Sequence, residues 1–171
     1  IDARVAPYNR VKPGDTVCLE AGKRDKLVIK NFKGNKNKVI TFTNFGGKVF
    51  FVYKHLKGNS HEIAIDIQNS RYFRLTGNVD PSYLYGLKVD GDYQFGIQAR
   101  NRSSDFEMDH ISILNTGQPG IHTGTRPNCP DGNDDNMYDY DNDGVAKGDL
   151  DDVTTQDNFI QYNTVIHDIS L

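Results

Sequence analysis

Two interleaved series of apolar residues, sharing one period, constrain this chain more than any other feature. Val17, Ile40, Ile63, Leu87 and Ile111 follow one another at spacings of 23, 23, 24 and 24 residues. Leu27, Val49, Phe73, Ile97 and Ile121 follow at 22, 24, 24 and 24. A period of this length marks units that cannot bury an apolar face alone and must stack on copies of themselves. Each member lies in a short run that alternates or is β-branched and is bounded by Gly, Asn, Asp or Lys, which is a strand signal. The period contains no helical pattern. The expected class is all-β: a parallel β-helix, a solenoid of about six coils.

The runs can be placed along the chain. Strands are expected at 16–20, 27–30, 39–44, 48–52, 62–68, 72–76, 86–89, 96–99 and 111–114, separated by Gly- and Asn-rich corners. In Glu62–Gln68 the alternation is strict, with Ile63, Ile65 and Ile67 inward and Ala64 and Asp66 outward. Gly86, Gly96 and Gly120 each precede an inward residue, where a tight corner needs no Cβ. The rhythm breaks over residues 125–157, an acidic loop insertion with almost no apolar residues, and resumes at Asn158–Ile169. The 171 residues are read as one β-helix domain. Ile1–Lys12 is the N-terminal candidate for covering the open end of the stack. With no initiator Met and no convincing second cap, the chain is expected to be a mature or truncated piece of a longer helix.

Charge is distributed unevenly. Residues 1–60 hold 13 Lys/Arg against 4 Asp/Glu, a net +9, whereas residues 131–157 hold 10 Asp against one Lys, a net −9. A basic end attracts polyanions and a dense Asp cluster attracts cations; a solvated surface is the other reading of each. No run approaches the length of a membrane-spanning segment, so no membrane insertion is expected. The lysines fall on successive corners rather than on one groove-reading element, which argues against nucleic acid as partner. Cys18 lies between Val17 and Leu19 and should face outward, and Cys129 lies in the insertion. Whether they pair is left open by the sequence.

Three stretches, PGDTVCLEAG, VITFTNFGGKV and NTVIHDI, resemble the secreted bacterial right-handed parallel β-helix proteins of the pectate-lyase-like superfamily. The opening VKPGDTV, with GNKNKVIT and GGKV, is similar to the first coils of the alginate lyase and chondroitinase B family. The resemblance covers Val11–Ile121 and Asn158–Ile169. It implies a right-handed helix, a secreted or cell-surface location, and β-elimination on uronic-acid polysaccharides. In that family a Lys serves as base, an Arg assists, and Ca²⁺ often neutralises the substrate carboxylate. None of those catalytic residues can be matched here, so the catalytic set stays unknown.

Two groups of residues suggest chemistry of their own. Asp139, Asp141 and Asp143 alternate ahead of Gly144, the first half of a calcium loop, with the carbonyl of Val145 next. Position 12 is Leu150, so Asp149 or Asp151 must supply the far ligand. Either Ca²⁺ binds here or the segment is an acidic solvated loop. The second group comes from the period: Arg74, Gln98 and His122 should stack outward on neighbouring coils, with Arg100 two residues further along. Such a ladder suits an anionic saccharide, because Arg binds carboxylates bidentately and His moves protons near neutral pH; an ordinary solvated ladder is the alternative. The expected function is extracellular binding or lyase-like cleavage of anionic polysaccharides, and the rival is a non-catalytic cell-surface or adhesion β-helix.

Overall fold

The computed structural model describes residues 1–54, 62–117, 119–123, 165–167 and 169–170. Within them the chain is mostly parallel strand, and the helical content is one 3-10 turn at Tyr8–Arg10. The strands are β1 (Thr16–Arg24), β2 (Leu27–Lys30), β3 (Ile40–Phe51), β4 (Ile63–Gln68), β5 (Arg71–Thr76) and β6 (Leu87–Asp90). They continue with β7 (Phe95–Arg100), β8 (Ser104–Asp109), β9 (Ile111–Leu114), β10 (Ile121–Thr123), β11 (Val165–Ile166) and β12 (Ile169–Ser170). One sheet has four strands in the order β10-β7-β4-β2. The other has eight, in the order β11-β8-β5-β3-β6-β9-β12, with β1 lying along β3. The acidic segment 125–157 and its candidate metal ligands lie outside the described residues.

The larger sheet forks because β3 bends. Ile40–Thr43 pairs with β5, and Val49–Phe51 pairs with β6. Between them Gly46 and Gly47 have φ of 72° and 136°, values a residue with a Cβ rarely adopts. β1 follows the same bend through a register shift between Glu20 and Gly22. Two expected strands, 39–44 and 48–52, are therefore one.

The pairing register corrects the expected period. Ile40 lies opposite Phe73, 33 residues on, rather than opposite Ile63. Val49 lies opposite Leu87, and Leu27 opposite Ile65, each 38 residues on. Of the expected neighbours, Leu87–Ile111 and Ile97–Ile121 are in register at 24. Strand lengths are held by the ladders, but the corner loops vary, so a constant spacing counts residues that belong to different rows. One strand, β8, was not expected. Its sequence SDFEMD looks polar because Glu107 and Asp109 face outward while Phe106 and Met108 are buried.

One corner repeats. Asn31, Asn69 and Asn101 follow β2, β4 and β7 with φ of 66°, 47° and 50°, the left-handed region that Asn tolerates. Asn69 Nδ2 donates to Asn31 Oδ1 at 2.8 Å, and Asn31 Nδ2 donates to Asp2 Oδ1 at 2.9 Å. Ile1–Arg4 forms one more rung here: Lys30 N donates to Ile1 O and Ala3 N to Lys30 O, both at 3.0 Å. Ile1, Ala3, Tyr8 and Val11 pack on the core, as an end cover should.

The core lies between the sheets. Phe32, Phe42, Phe73 and Phe106 form a continuous aromatic run, with centroids 5.0, 6.3 and 5.1 Å apart. Each such side chain contributes about 1.5–3 kcal/mol by leaving water. Ile65, Leu87, Ile97 and Ile111 are fully buried, and Ile121 is half-buried and packed against the core. Ala64, expected to face solvent, is buried as well. Cys18 is exposed between buried Val17 and Leu19.

Candidate functional site

Parallel pairing stacks equivalent side chains in rows, and the outward rows carry the polar chemistry. On the four-stranded sheet one row is Val28–Asp66–Gln98–His122, and the next is Lys30–Gln68–Arg100. Arg100 grips Asp66 with two bonds, Nε to Oδ1 at 3.0 Å and Nη2 to Oδ2 at 2.8 Å. Gln68 Nε2 donates to the same carboxylate at 2.6 Å. These donors explain why Asp66 points outward yet is buried. Gln98 Nε2 lies 3.0 Å from His122 Nδ1, and the His122 ring stacks on Phe95 at 4.9 Å.

Arg74 is not in this ladder. The structure joins Gln98, Arg100 and His122 on the four-stranded sheet and places Arg74 on β5 of the other, opposite Thr41 and Glu107. The shared spacing of 24 misled because Phe73 and Ile97 belong to different sheets.

Around Arg74 lies a denser group. Its Nε donates to Asp109 Oδ2 at 2.7 Å and lies 3.4 Å from Glu107 Oε1. Thr76 Oγ1 donates to Asp109 Oδ1 at 2.5 Å. His110 Nδ1 lies 2.5 Å from that same oxygen and serves as its donor, since an ionised carboxylate can only accept. His110 stands at φ 54°, a sharp turn between β8 and β9 that swings its ring back over Asp109. His167 N donates to Met108 O at 3.1 Å, which sets His167 beside β8 with Nε2 2.9 Å from Glu107 Oε1. The two imidazoles meet edge to face at 6.5 Å.

The electrostatics follow from burial. The Asp109 side chain has no exposed surface. Desolvation works to raise its pKa, but the hydrogen bonds from Arg74, Thr76 and His110 and the Arg74 charge outweigh it and hold the carboxyl below its ordinary value. The bond to Asp109 in turn raises the Arg74 pKa, against the opposing effect of burial.

Three donor atoms of Glu107, Asp109 and His167 lie within 4.8 Å of one another, a mixed carboxylate and imidazole set of the kind that can hold a metal ion. Arg74 already stands between the two carboxylates, so a cation would have to displace its charge. Chemically, the arrangement offers two imidazoles, each fixed by a carboxylate, next to a guanidinium that is one-third exposed. Sequence reasoning reached Arg74 but missed Thr76, Glu107 and Asp109, which become neighbours only through a 33-residue register. The adjacent pair Asp109-His110 was the signal in hand. No family model, curated protein or solved structure matches the chain.

Proposed function

We propose that this protein is a right-handed parallel β-helix acting outside the cell on an anionic polysaccharide, which it binds and cleaves by β-elimination. The observation that carries the reading is the group of Arg74, His110 and His167 around Glu107 and Asp109. β-Elimination on a uronate needs three things: a cation for the substrate carboxylate, a base for the proton on the adjacent carbon, and an acid for the departing oxygen. Arg74 offers guanidinium donors beyond the Nε it spends on Asp109. His110, with Nδ1 on Asp109, presents Nε2 as base, and His167 stands near enough to protonate the leaving oxygen. The base is thus a His rather than the Lys that the resemblance implies. The parallel pairing of successive rows in both sheets supports the solenoid. Within this reading, Asp139, Asp141, Asp143, Val145 and Asp149 or Asp151 are the proposed Ca²⁺ ligands.

The test is a panel of uronate polymers assayed for ultraviolet-absorbing unsaturated ends. Product from the parent, lost in His110→Ala and reduced in Arg74→Ala, supports the reading; binding without product from any polymer removes the lyase step. A second reading, the non-catalytic surface solenoid, is favoured by one specific observation. Both arginines of the polar rows are already neutralised, Arg74 by Asp109 and Arg100 by Asp66.

A further inference from the structure

The elimination step uses Arg74, His110 and His167 and leaves the carboxylates of Glu107 and Asp109 as supports. Those carboxylates have a chemistry of their own. Alternation along β8 sets Glu107 and Asp109 on one face, two residues apart. Val165 and Ile166 lie opposite Glu107 and Met108, so His167 arrives at the level of Asp109. Its backbone N–H on Met108 O fixes it there. Ligand atoms of Glu107, Asp109 and His167, from two neighbouring rows, thus lie within 4.8 Å of one another. Asp109 is the buried floor, Glu107 is half-buried and His167 is exposed, which gives an ion a way in from solvent.

The charges in this group do not balance. Two carboxylates face one guanidinium, whose Nε donates to Asp109 Oδ2 at 2.7 Å and lies 3.4 Å from Glu107 Oε1. With neutral imidazoles, one negative charge is in excess. A dication in the place of Arg74 cancels it. Arg74 can give way, because its side chain is one-third exposed and can turn to water. Asp109 keeps its orientation when Arg74 leaves, since Thr76 and His110 hold its other oxygen.

We propose that Glu107, Asp109 and His167 bind a first-row transition dication of the Zn²⁺ type, and that this ion and Arg74 compete for one place. The imidazole decides the class of metal. Ca²⁺ and Mg²⁺ take oxygen ligands, whereas an imidazole beside carboxylates suits Zn²⁺. The residues and the chemistry therefore differ from those of the Ca²⁺ ligands proposed between residues 139 and 151. Tetrahedral Zn²⁺ needs ligand atoms about 3.4 Å apart, so closing on the ion takes shifts on the order of 1 Å. The ion joins β8 to the residue after β11 and fastens a strand whose ladder holds two residues. Once His167 Nε2 carries the metal, it cannot protonate a leaving oxygen, so the ion switches off the proposed elimination. That consequence rests on the lyase reading; the site itself does not.

The experiment is calorimetric titration of Zn²⁺ into chelator-stripped protein. The samples are the parent, Glu107→Gln, His167→Ala and Arg74→Ala, with His122→Ala on the other sheet and Asp141→Ala in the acidic segment as controls. Buried Asp109 is left in place, and circular dichroism checks that each variant folds as the parent does. The parent should take up one ion per chain, melt at a higher temperature with it, and keep it against excess Ca²⁺. Affinity should fall in Glu107→Gln and His167→Ala by at least the roughly 10- to 100-fold that a lost supporting partner costs a metal site. It should rise roughly 5-fold in Arg74→Ala, which removes the competing charge. It should stay parental in both controls. No uptake by the parent, parental affinity in folded His167→Ala, weaker binding in Arg74→Ala, displacement by Ca²⁺ or loss of binding in either control would each overturn the site. Arg74→Ala also separates the site from the lyase reading, because it should bind Zn²⁺ more tightly while making less product from a uronate polymer. Binding as described, with no product from the metal-free protein on any polymer, keeps the site and removes the lyase step. Product from the metal-free protein without Zn²⁺ binding here does the reverse.

Discussion

The two polar faces use the same residue types and reach different ends. On the four-stranded sheet, Arg100 at the end of β7 forms a forked pair with Asp66, which lies inside β4. The Arg100 side chain keeps 32% of its surface in solvent. On the other sheet, Asp109 sits at the last position of β8, and the turn at His110 folds a ring back over it until none of its surface remains. One acid is held by two neighbours, and the other by a guanidinium, a hydroxyl and an imidazole. The acid inside a strand thus keeps a sliver of exposed surface and a partner that can turn to water, whereas the acid at a strand end next to a left-handed turn is a fully buried charge that needs every partner. The second arrangement fixes its groups in place, as a reacting site requires.

The sharpest way to break the comparison is to remove the support under both faces. Ile97 is fully buried between its register neighbours Ile65 and Ile121. Ile97→Asp puts an unpaired charge in that column, and cooperative unfolding should be lost or the melt lowered severely, by more than about 4 kcal/mol. A variant melting like the parent would mean the core has been assigned wrongly.

The next effect separates the faces. Asp109→Ala leaves Thr76 and Arg74 without their acceptor and should cost about 3 kcal/mol, toward the low end for a broken buried pair because Arg74 is one-third exposed. Asp66→Ala should cost about 1 kcal/mol, since Arg100 can turn to water. Urea denaturation of the two variants gives the ratio; equal losses would erase the distinction between the two faces.

Acid should sharpen it further. Because the folded Asp109 pKa is depressed below the ordinary 3.8, its contribution is fully present above that value and is lost as pH falls through the lower, folded one. Stability measured from pH 5 downward should therefore fall less steeply in Asp109→Asn than in the parent. Parallel curves would show that Asp109 is not coupled to folding.

The smallest effect belongs to Gln98→Ala, which removes one half-exposed bond to His122 and should change stability by about 0.5–1 kcal/mol or less. The nitrogen chemical shifts of His122 should still respond, because the Gln98 amide favours an unprotonated Nδ1. Unchanged shifts would show that the bond is not made in solution.

The order in which these faces were recognisable reflects physical range. Alternation is a local property, so Val17, Leu27, Ile65, Leu87 and Ile111 announced their strands and their burial from the sequence alone. The parallel, helix-poor class followed from the lack of any 3.6-residue pattern, and the outward position of Gln98, Arg100 and His122 followed from their phase against Ile97. Register is not local. It depends on how many residues each corner takes up, and corners that hold 10 residues between β5 and β6 but a single residue between β8 and β9 cannot be told from an average spacing. That is why Arg74 was assigned to the wrong sheet and why Asp109, reached only across a 33-residue register, was missed. β8 escaped for a related reason: its outward Glu107 and Asp109 mask Phe106 and Met108 until their partners Arg74 and Thr76 are in place. The sequence by itself determined which residues leave water, since that depends on their own chemistry and nearest neighbours. Only the tertiary structure decided which charges meet, because a charge acts over a few ångströms of space, and the folded register alone sets those distances.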